Sequence, residues 1–139
     1  MTSPTWETTR SSLLQREPAF YELEPGGALT LQLGDEDWLL EITPDGQLIC
    51  QVGYELEDMK SILSEGTPED LGTDELAKQA RFYVQQTVSK QRDQFKAAGF
   101  QESSEMNEEY VAVMFQRAID LQNMDEVEQA VRWCQRQFA

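Results

Sequence analysis

The sequence predicts an α+β fold: an antiparallel meander sheet of four to five strands, covered on one face by a long helix and a C-terminal helix. Apolar residues alternate with polar ones over residues 19–54, which is the period of strands. Over residues 74–98 they recur every three or four positions, which is the period of helices. Because the alternating runs are separated by short turns, neighbouring strands must be antiparallel. Strands and helices occupy separate stretches, so they are expected to form packed layers.

Residues 1–18 predict either a mobile tail or a short helix. Ser3-Pro4 is a suitable helix start because proline is favoured at the first helical position. The threonines at positions 5, 8 and 9 disfavour a helix because their side-chain rotamers are restricted. A tail would still be expected to dock through Trp6. Residues 19–139 are predicted to form a single domain, a common size for one hydrophobic core.

Four strands are expected before residue 55. The strongest runs place alternate apolar side chains on one face, at 29–33, 38–42 and 48–54, and a weaker run covers 20–23. The sequence Thr43-Pro44-Asp45-Gly46 predicts a tight turn, since proline fixes φ and glycine accepts a positive φ.

The following residues predict helices. A short helix is expected from Leu56 to Leu63, followed by a polar loop over residues 64–73. Thr73 is the expected N-cap of the long helix, which Gly99 ends.

The segment from Tyr110 to Leu121 fits either period. Its β-branched and aromatic residues favour a strand, although a helix is also compatible with the spacing. Asn123 followed by Glu126 resembles a capping box and predicts the start of a final helix.

Composition argues against several function classes. The chain has 26 acidic and 11 basic residues, no histidine and a formal net charge of -15. A protein with this much negative charge repels phosphate backbones and anionic lipids. Neither a nucleic acid nor a membrane is therefore the expected partner. Without histidine there is no Ser-His-Asp or Cys-His catalysis. Gly26-Gly27 lacks the context of a phosphate loop, and the calcium-like run at 35–37 lacks the required glycine and glutamate. No catalytic residue, cofactor or metal site is predicted.

The two cysteines have no metal or redox-motif spacing. Cys50 and Cys134 each occupy an apolar position and are expected to be buried, reduced side chains. With no apolar run long enough to span a membrane and no secretory signal at the N-terminus, the expected location is cytoplasmic.

The C-terminal stretch, residues 110–134, runs YVAVMFQRAIDLQNMDEVEQAVRWC. It is similar to the closing strand, Asp-Leu loop and helix of type III secretion chaperones and of the related YbjN-like fold. The resemblance is one of fold, and it implies a small acidic α+β protein that binds other proteins.

The long helix is the only stretch of the chain with a net positive charge. Residues 76–101 contain one acid and five bases (+4), whereas residues 1–75 contain 17 acids and 3 bases (-14). On a continuous helix with about 100° per residue, four basic side chains share a sector of about 60° opposite the apolar stripe; they are Lys78, Arg81, Arg92 and Lys96. The aromatic ring of Phe82 lies beside this sector. The candidate partner-binding residues are therefore Lys78, Arg81, Phe82, Arg92 and Lys96.

These features favour a non-enzymatic, acidic protein-binding module, an adaptor or assembly chaperone that uses this helix and a sheet edge. The partner is another protein, and a homodimer is compatible with the sequence. Trp38 and Tyr54 would add apolar contacts if one face of the sheet were open. A solvated helix surface with no binding role is the simplest reading of the basic residues. The alternatives are a small-ligand-binding or carboxylate-based enzymatic domain and, less favoured, a nucleic-acid mimic.

Overall fold

A computed structural model describes residues 4–22, 24–34, 38–57, 73–107 and 109–138. The α+β prediction is confirmed, with six antiparallel strands in place of the predicted four to five. The described elements, in chain order, are α1 (Pro4–Arg16), β1 (Tyr21–Glu22), β2 (Leu29–Leu33), β3 (Trp38–Ile42), β4 (Gln47–Glu55), α2 (Thr73–Ser89), α3 (Arg92–Ala97), β5 (Gln101–Met106), β6 (Tyr110–Ala118) and α4 (Met124–Arg136).

The strand order in the sheet is β1-β2-β3-β4-β6-β5. The strand that the sequence did not predict is β5, whose residues are nearly all polar and mostly exposed. With so few apolar side chains it shows no period-2 pattern. Its position is instead set by the neighbouring strand β6, because backbone hydrogen bonding does not require apolar side chains.

The chain divides into two compact units. Unit 1 contains Met1–Cys50 and Gln116–Ala139, and unit 2 contains Gln51–Phe115. The prediction of a single domain over residues 19–139 stays a prediction.

In unit 1, β2 and β3 pair from Leu29 opposite Ile42 to Leu33 opposite Trp38. The predicted alternation is visible in burial, since Trp38, Leu40 and Ile42 are buried while the intervening residues are only half-buried. The predicted turn after β3 also forms. The Gly46 N–H donates to the Thr43 carbonyl at 3.1 Å, and Gly46 has a φ of 85°.

The N-terminal residues of unit 1 form helix α1, one of the two forms that the sequence left open. The fully buried Trp6 donates from Nε1 to the Gly26 carbonyl at 3.0 Å. On the same helix, the Thr9 hydroxyl donates to the Leu121 carbonyl at 2.6 Å. These two bonds, together with the burial of Leu13, attach α1 to the rest of unit 1.

The final helix of unit 1, α4, begins where the capping pattern predicts. The Asn123 side chain accepts a hydrogen bond from the Glu126 N–H at 3.2 Å. The buried residues of α4 are Val127, Val131 and Cys134, at helical spacing.

The ambiguous segment is a strand, and the strand prediction is confirmed for Tyr110–Ala118, most of which belongs to unit 2. The prediction of one continuous helix over residues 74–98 is wrong, because α2 ends at Ser89 and α3 begins at Arg92. At the break, the Ser89 hydroxyl donates to the Gln86 carbonyl at 2.7 Å, and the Gln91 N–H donates to Val88 at 3.1 Å. This hydrogen bond joins residues three positions apart, whereas α-helical bonds join residues four positions apart. It therefore tightens the turn and ends the α-helix.

Several sequence predictions lie outside the described residues. They are the helix start at Ser3, the end of the first strand at Leu23, the acidic turn at 35–37, and most of the short helix and polar loop over residues 56–73. None of the helices in the described ranges combines the length and the apolar composition that a membrane span requires.

Candidate protein-binding surface

A surface hollow of about 420 Å³ lies against one face of α2 in unit 2, and its described lining residues all belong to this helix. Its lining residues repeat at intervals of three and four, so they form a single stripe along the helix; they are Glu75, Lys78, Gln79, Phe82, Tyr83 and Gln86. These six residues are called the α2 surface below.

The α2 surface is opposite the buried face of the same helix. The buried residues of α2 are Leu76, Ala77, Ala80, Val84 and Val88. At about 100° per residue, the centres of the two stripes are separated by roughly half a turn. The helix is therefore two-sided, because the apolar stripe that anchors α2 in the core leaves the other stripe in solvent.

Phe82 is the most unusual residue of the α2 surface. It is 65% exposed, and the only other exposed large hydrophobic residue among those described is Tyr21, at 43%. Beside it, Tyr83 packs edge-on against Tyr54 with ring centroids 5.4 Å apart. Tyr83 is thus held by β4, while the Phe82 ring contributes apolar area directly to the hollow.

Two cations lie on or next to the α2 surface. Lys78 and Arg81 are exposed, and neither forms a salt bridge with another described residue. The Arg81 Nε donates to the Ala77 carbonyl at 3.4 Å, which directs the side chain along its own helix. Lys78 is thus a cation on the α2 surface itself, and Arg81 is a cation on the same helix outside that stripe.

Arg92 and Lys96 do not share a helix with Lys78 and Arg81. Both lie on α3, so the single 60° sector drawn on a continuous helix does not exist. Arg92 donates to the Glu102 carboxylate at 2.8 Å and 3.3 Å, and its guanidinium also contacts Gln85. The Lys96 Nζ lies 3.9 Å from Glu102. The structure thus places Lys78 and Phe82 on the α2 surface and Arg81 on the same helix outside that stripe, whereas Arg92 links α3 to β5.

The other candidate surface is the edge of the sheet at β5. Ser103, Ser104 and Glu105 are exposed, and β5 is the last strand on its side of the described sheet. The carboxylate of Glu105 accepts a hydrogen bond from Tyr110, which raises the pKa of the tyrosine hydroxyl above its usual value. Burial contributes to the same shift, after the hydrogen bond.

Trp38 does not provide the open contact that the sequence allowed. It is 1% exposed, and its ring lies 5.1 Å from that of Phe138 in unit 1. Tyr54 is half-buried against Tyr83. Among the described residues there is no cluster of three or more cysteine, aspartate or glutamate side chains arranged to hold a metal ion.

Sequence reasoning identified Phe82 and Lys78 but not the rest of the stripe. Gln79 and Gln86 carry neither a charge nor an aromatic ring that would have marked them as binding residues. The i, i+3, i+4, i+7 spacing from Glu75 to Gln86 was the signal that could have found them.

Comparisons of this chain with protein-family models, with curated proteins and with solved structures return no match. The case for a function therefore rests on the residues of the chain itself.

Proposed function

We propose that this protein is a non-enzymatic protein-binding module, an adaptor or assembly chaperone, that holds an acidic amphipathic segment of a partner polypeptide on the α2 surface. The observation that carries the proposal is the exposure of Phe82 beside a hollow of about 420 Å³ on a helix that is otherwise well anchored. A large exposed aromatic in a concave, partly apolar setting is typical of the anchor residues that dominate protein interfaces.

The charges around Phe82 support an acidic partner. Lys78 and Arg81 are cations without a described carboxylate partner, in a chain whose formal net charge is -15. Lys78 and Arg81 would orient an acidic segment on the part of α2 that follows Glu75, while the surrounding acidic surface would repel segments that lack a complementary match. An amphipathic helix can present apolar and acidic side chains together, which suits a stripe of this length.

The β5 edge is a weaker candidate for the same role. An exposed strand can accept an added strand from a partner. However, β5 carries Glu102 and Glu105, and charged side chains are a common way to prevent such pairing. The α2 surface is therefore preferred as the main contact.

The proposal includes a cytoplasmic location for the protein. Cys50 and Cys134 are free and buried, which fits a cytoplasmic protein in a reducing environment. The alternative function is a small-ligand-binding or enzymatic domain. It would be supported by a small ligand whose affinity does not depend on Phe82.

The test begins with photo-crosslinking in cells that express the full chain. A benzoyl-phenylalanine at position 82 is expected to crosslink to one dominant polypeptide, and the same group at position 21 is the matched control because Tyr21 is the other exposed large hydrophobic. The crosslinked protein is then purified and its affinity measured directly. Phe82→Ser should weaken binding by about 30-fold, since loss of an interface anchor costs about 2 kcal/mol.

Tyr21→Ser should leave the affinity within a factor of about two of the unmodified protein. Equal binding by the Phe82→Ser and Tyr21→Ser variants would exclude the α2 surface. Position-independent crosslinking to many proteins would contradict a specific binding module.

A further inference from the structure

The two cysteines of the chain meet inside unit 1. Cys50 is in β4 and Cys134 is in α4, and their Sγ atoms lie 3.4 Å apart although the residues are separated by 84 positions. Both side chains are completely buried and free. A pair of thiols at this distance is chemically distinct from two isolated buried cysteines, because the sulfurs can react with each other.

Two local patterns bring these thiols together. In β4, the period-2 alternation buries Leu48 and Cys50 on the same face of the strand. In α4, the helical period places Cys134 on the buried stripe that begins at Val127, and Asn123 fixes where that helix starts. Neither pattern involves a cysteine-specific requirement, so the 3.4 Å approach results from packing α4 on β4 within unit 1.

We propose that Cys50 and Cys134 form a reversible intrachain disulfide, generated by exchange with a small-molecule disulfide of the glutathione type. A disulfide requires the sulfurs to be about 2.05 Å apart, so the 3.4 Å separation must shorten by about 1.4 Å. The two thiols lie on separate elements, a strand and a helix, so small shifts of α4 or changes of side-chain rotamer are enough to supply the movement. The bond would tie α4 covalently to β4.

The exchange balances in two steps. The thiolate of one cysteine attacks a sulfur of the small disulfide, which forms a mixed disulfide and releases one small thiolate. The second cysteine, as its thiolate, then attacks the protein sulfur of the mixed disulfide and releases the other small thiolate. The two protein thiols are oxidised to one disulfide, the small disulfide is reduced to two thiols, and the two protein protons pass to the leaving thiolates.

Burial makes this exchange slow in the closed protein. The pKa of Cys50 is raised well above its ordinary value, first by its hydrogen bond with Cys134 and then by burial. The reactive thiolate is therefore scarce while α4 is packed on β4. Reaction requires local opening of unit 1, so mild denaturant is expected to accelerate it, and the same packing slows reduction of the finished bond without preventing it.

The test uses the full chain and oxidised glutathione, with and without a urea concentration below the unfolding transition. The expected product has lost the mass of two hydrogen atoms, yields a Cys50–Cys134 crosslinked peptide, and is restored by dithiothreitol. Its Tm should rise by about 10 °C, because a bond between residues so far apart restricts the unfolded chain. Cys134→Ala and Cys50→Ala are the controls, and each should retain glutathione as a mixed disulfide and show no such rise in Tm.

Three outcomes would overturn the proposal. They are stable glutathione adducts on both cysteines of the unmodified protein, disulfides only between separate chains, and free thiols that persist even when the protein is refolded with the oxidant. These outcomes are read from the mass of the unmodified chain, so they do not depend on the folding of either alanine variant. They also leave the proposed partner binding through Phe82 unaffected.

Discussion

The carboxylate of Glu22 accepts hydrogen bonds from two separate segments of unit 1. One oxygen accepts from the Arg10 guanidinium at 2.7 Å, and the other accepts from the Gly26 N–H at 2.9 Å. Arg10 also donates to Glu7 at 2.6 Å. The pKa of Glu22 is lowered, first by the Gly26 backbone N–H and then by Arg10, because both donors favour the ionised form. Through these two hydrogen bonds, Glu22 links helix α1 to the turn that follows β1.

This arrangement predicts a pH dependence of stability. Glu22 has a lower pKa in the folded chain than its ordinary value of 4.5, so the folded state binds fewer protons than the unfolded state near that pH. Its contribution is fully present above pH 4.5 and is lost as the pH falls through the lower, folded value. Glu22→Gln should therefore be less stable than the unmodified protein at pH 7, and the gap should shrink towards pH 3.

The measurement is the urea midpoint at several pH values between 7 and 3. Glu24→Gln is the matched control, because it removes the same charge from an exposed position in the same turn. A gap between the unmodified protein and Glu22→Gln that stays constant over this range would contradict the prediction.

At the scale of elements, α4 depends on its first turn. The Asn123 side chain is the acceptor for the Glu126 N–H, and Asp125 and Glu126 supply negative charge near the helix N-terminus. Both features stabilise a helix whose first backbone N–H groups have no partner within the helix. The same helix carries Cys134, so the cap also sets the register that brings the two thiols together.

Removing this cap should weaken the fold. Asn123→Ala is expected to lower the free energy of unfolding by about 1 kcal/mol, because the Glu126 N–H loses its acceptor. Asn123→Asp keeps an acceptor oxygen and should remain close to the unmodified protein. Urea unfolding measures both. If alanine and aspartate had equal effects, the hydrogen bond to Glu126 would not be the source of the stability.

The break between α2 and α3 changes which cations act together. A continuous helix would have aligned Arg92 and Lys96 with Lys78, whereas in the structure Arg92 is bound to Glu102 on β5. In α3, Phe95 is buried and stacks on Phe115 with ring centroids 4.7 Å apart. The short helix therefore serves the packing of unit 2, and the proposed binding role involves α2 alone.

At the scale of the whole molecule, the net charge of -15 acts on every encounter with another protein. Long-range repulsion keeps acidic chains apart, so an acidic partner must be drawn by a local positive site. Two double variants separate the two effects, since each makes the net charge more negative by four. Lys78→Glu with Arg81→Glu changes the α2 surface and its neighbour, whereas Lys90→Glu with Arg136→Glu changes exposed cations elsewhere.

With the partner identified through position 82, the first double variant should lower the association rate by about tenfold at low salt and flatten its salt dependence. The second double variant should have a much smaller effect, and neither should change the free energy of unfolding by more than about 1 kcal/mol. Equal effects of the two would mean that net charge, and not the α2 surface, controls binding. Tighter binding by the first would contradict an acidic partner.

Much of this architecture follows from local patterns. The alternation of Leu29–Leu33 and Trp38–Ile42 predicts strands because side chains of a strand point alternately to opposite faces. The tight turn at Gly46 and the cap at Asn123 are likewise specified by single residues and their neighbours. Gln101–Met106 gives no such signal, and its strand structure depends on β6 beside it.

By itself, the sequence determined the α+β class, the faces that are buried, the acidic surface and the exposure of Phe82, since each depends on periodicity or composition within a short stretch. Only the tertiary structure decided that Cys50 meets Cys134, that Arg92 is bound to Glu102, and that Trp6 is buried with its indole on Gly26. These contacts join residues from separate elements. Spacing along the chain specifies which face of an element is apolar, but the packing of complementary shapes and polar groups decides which element that face contacts.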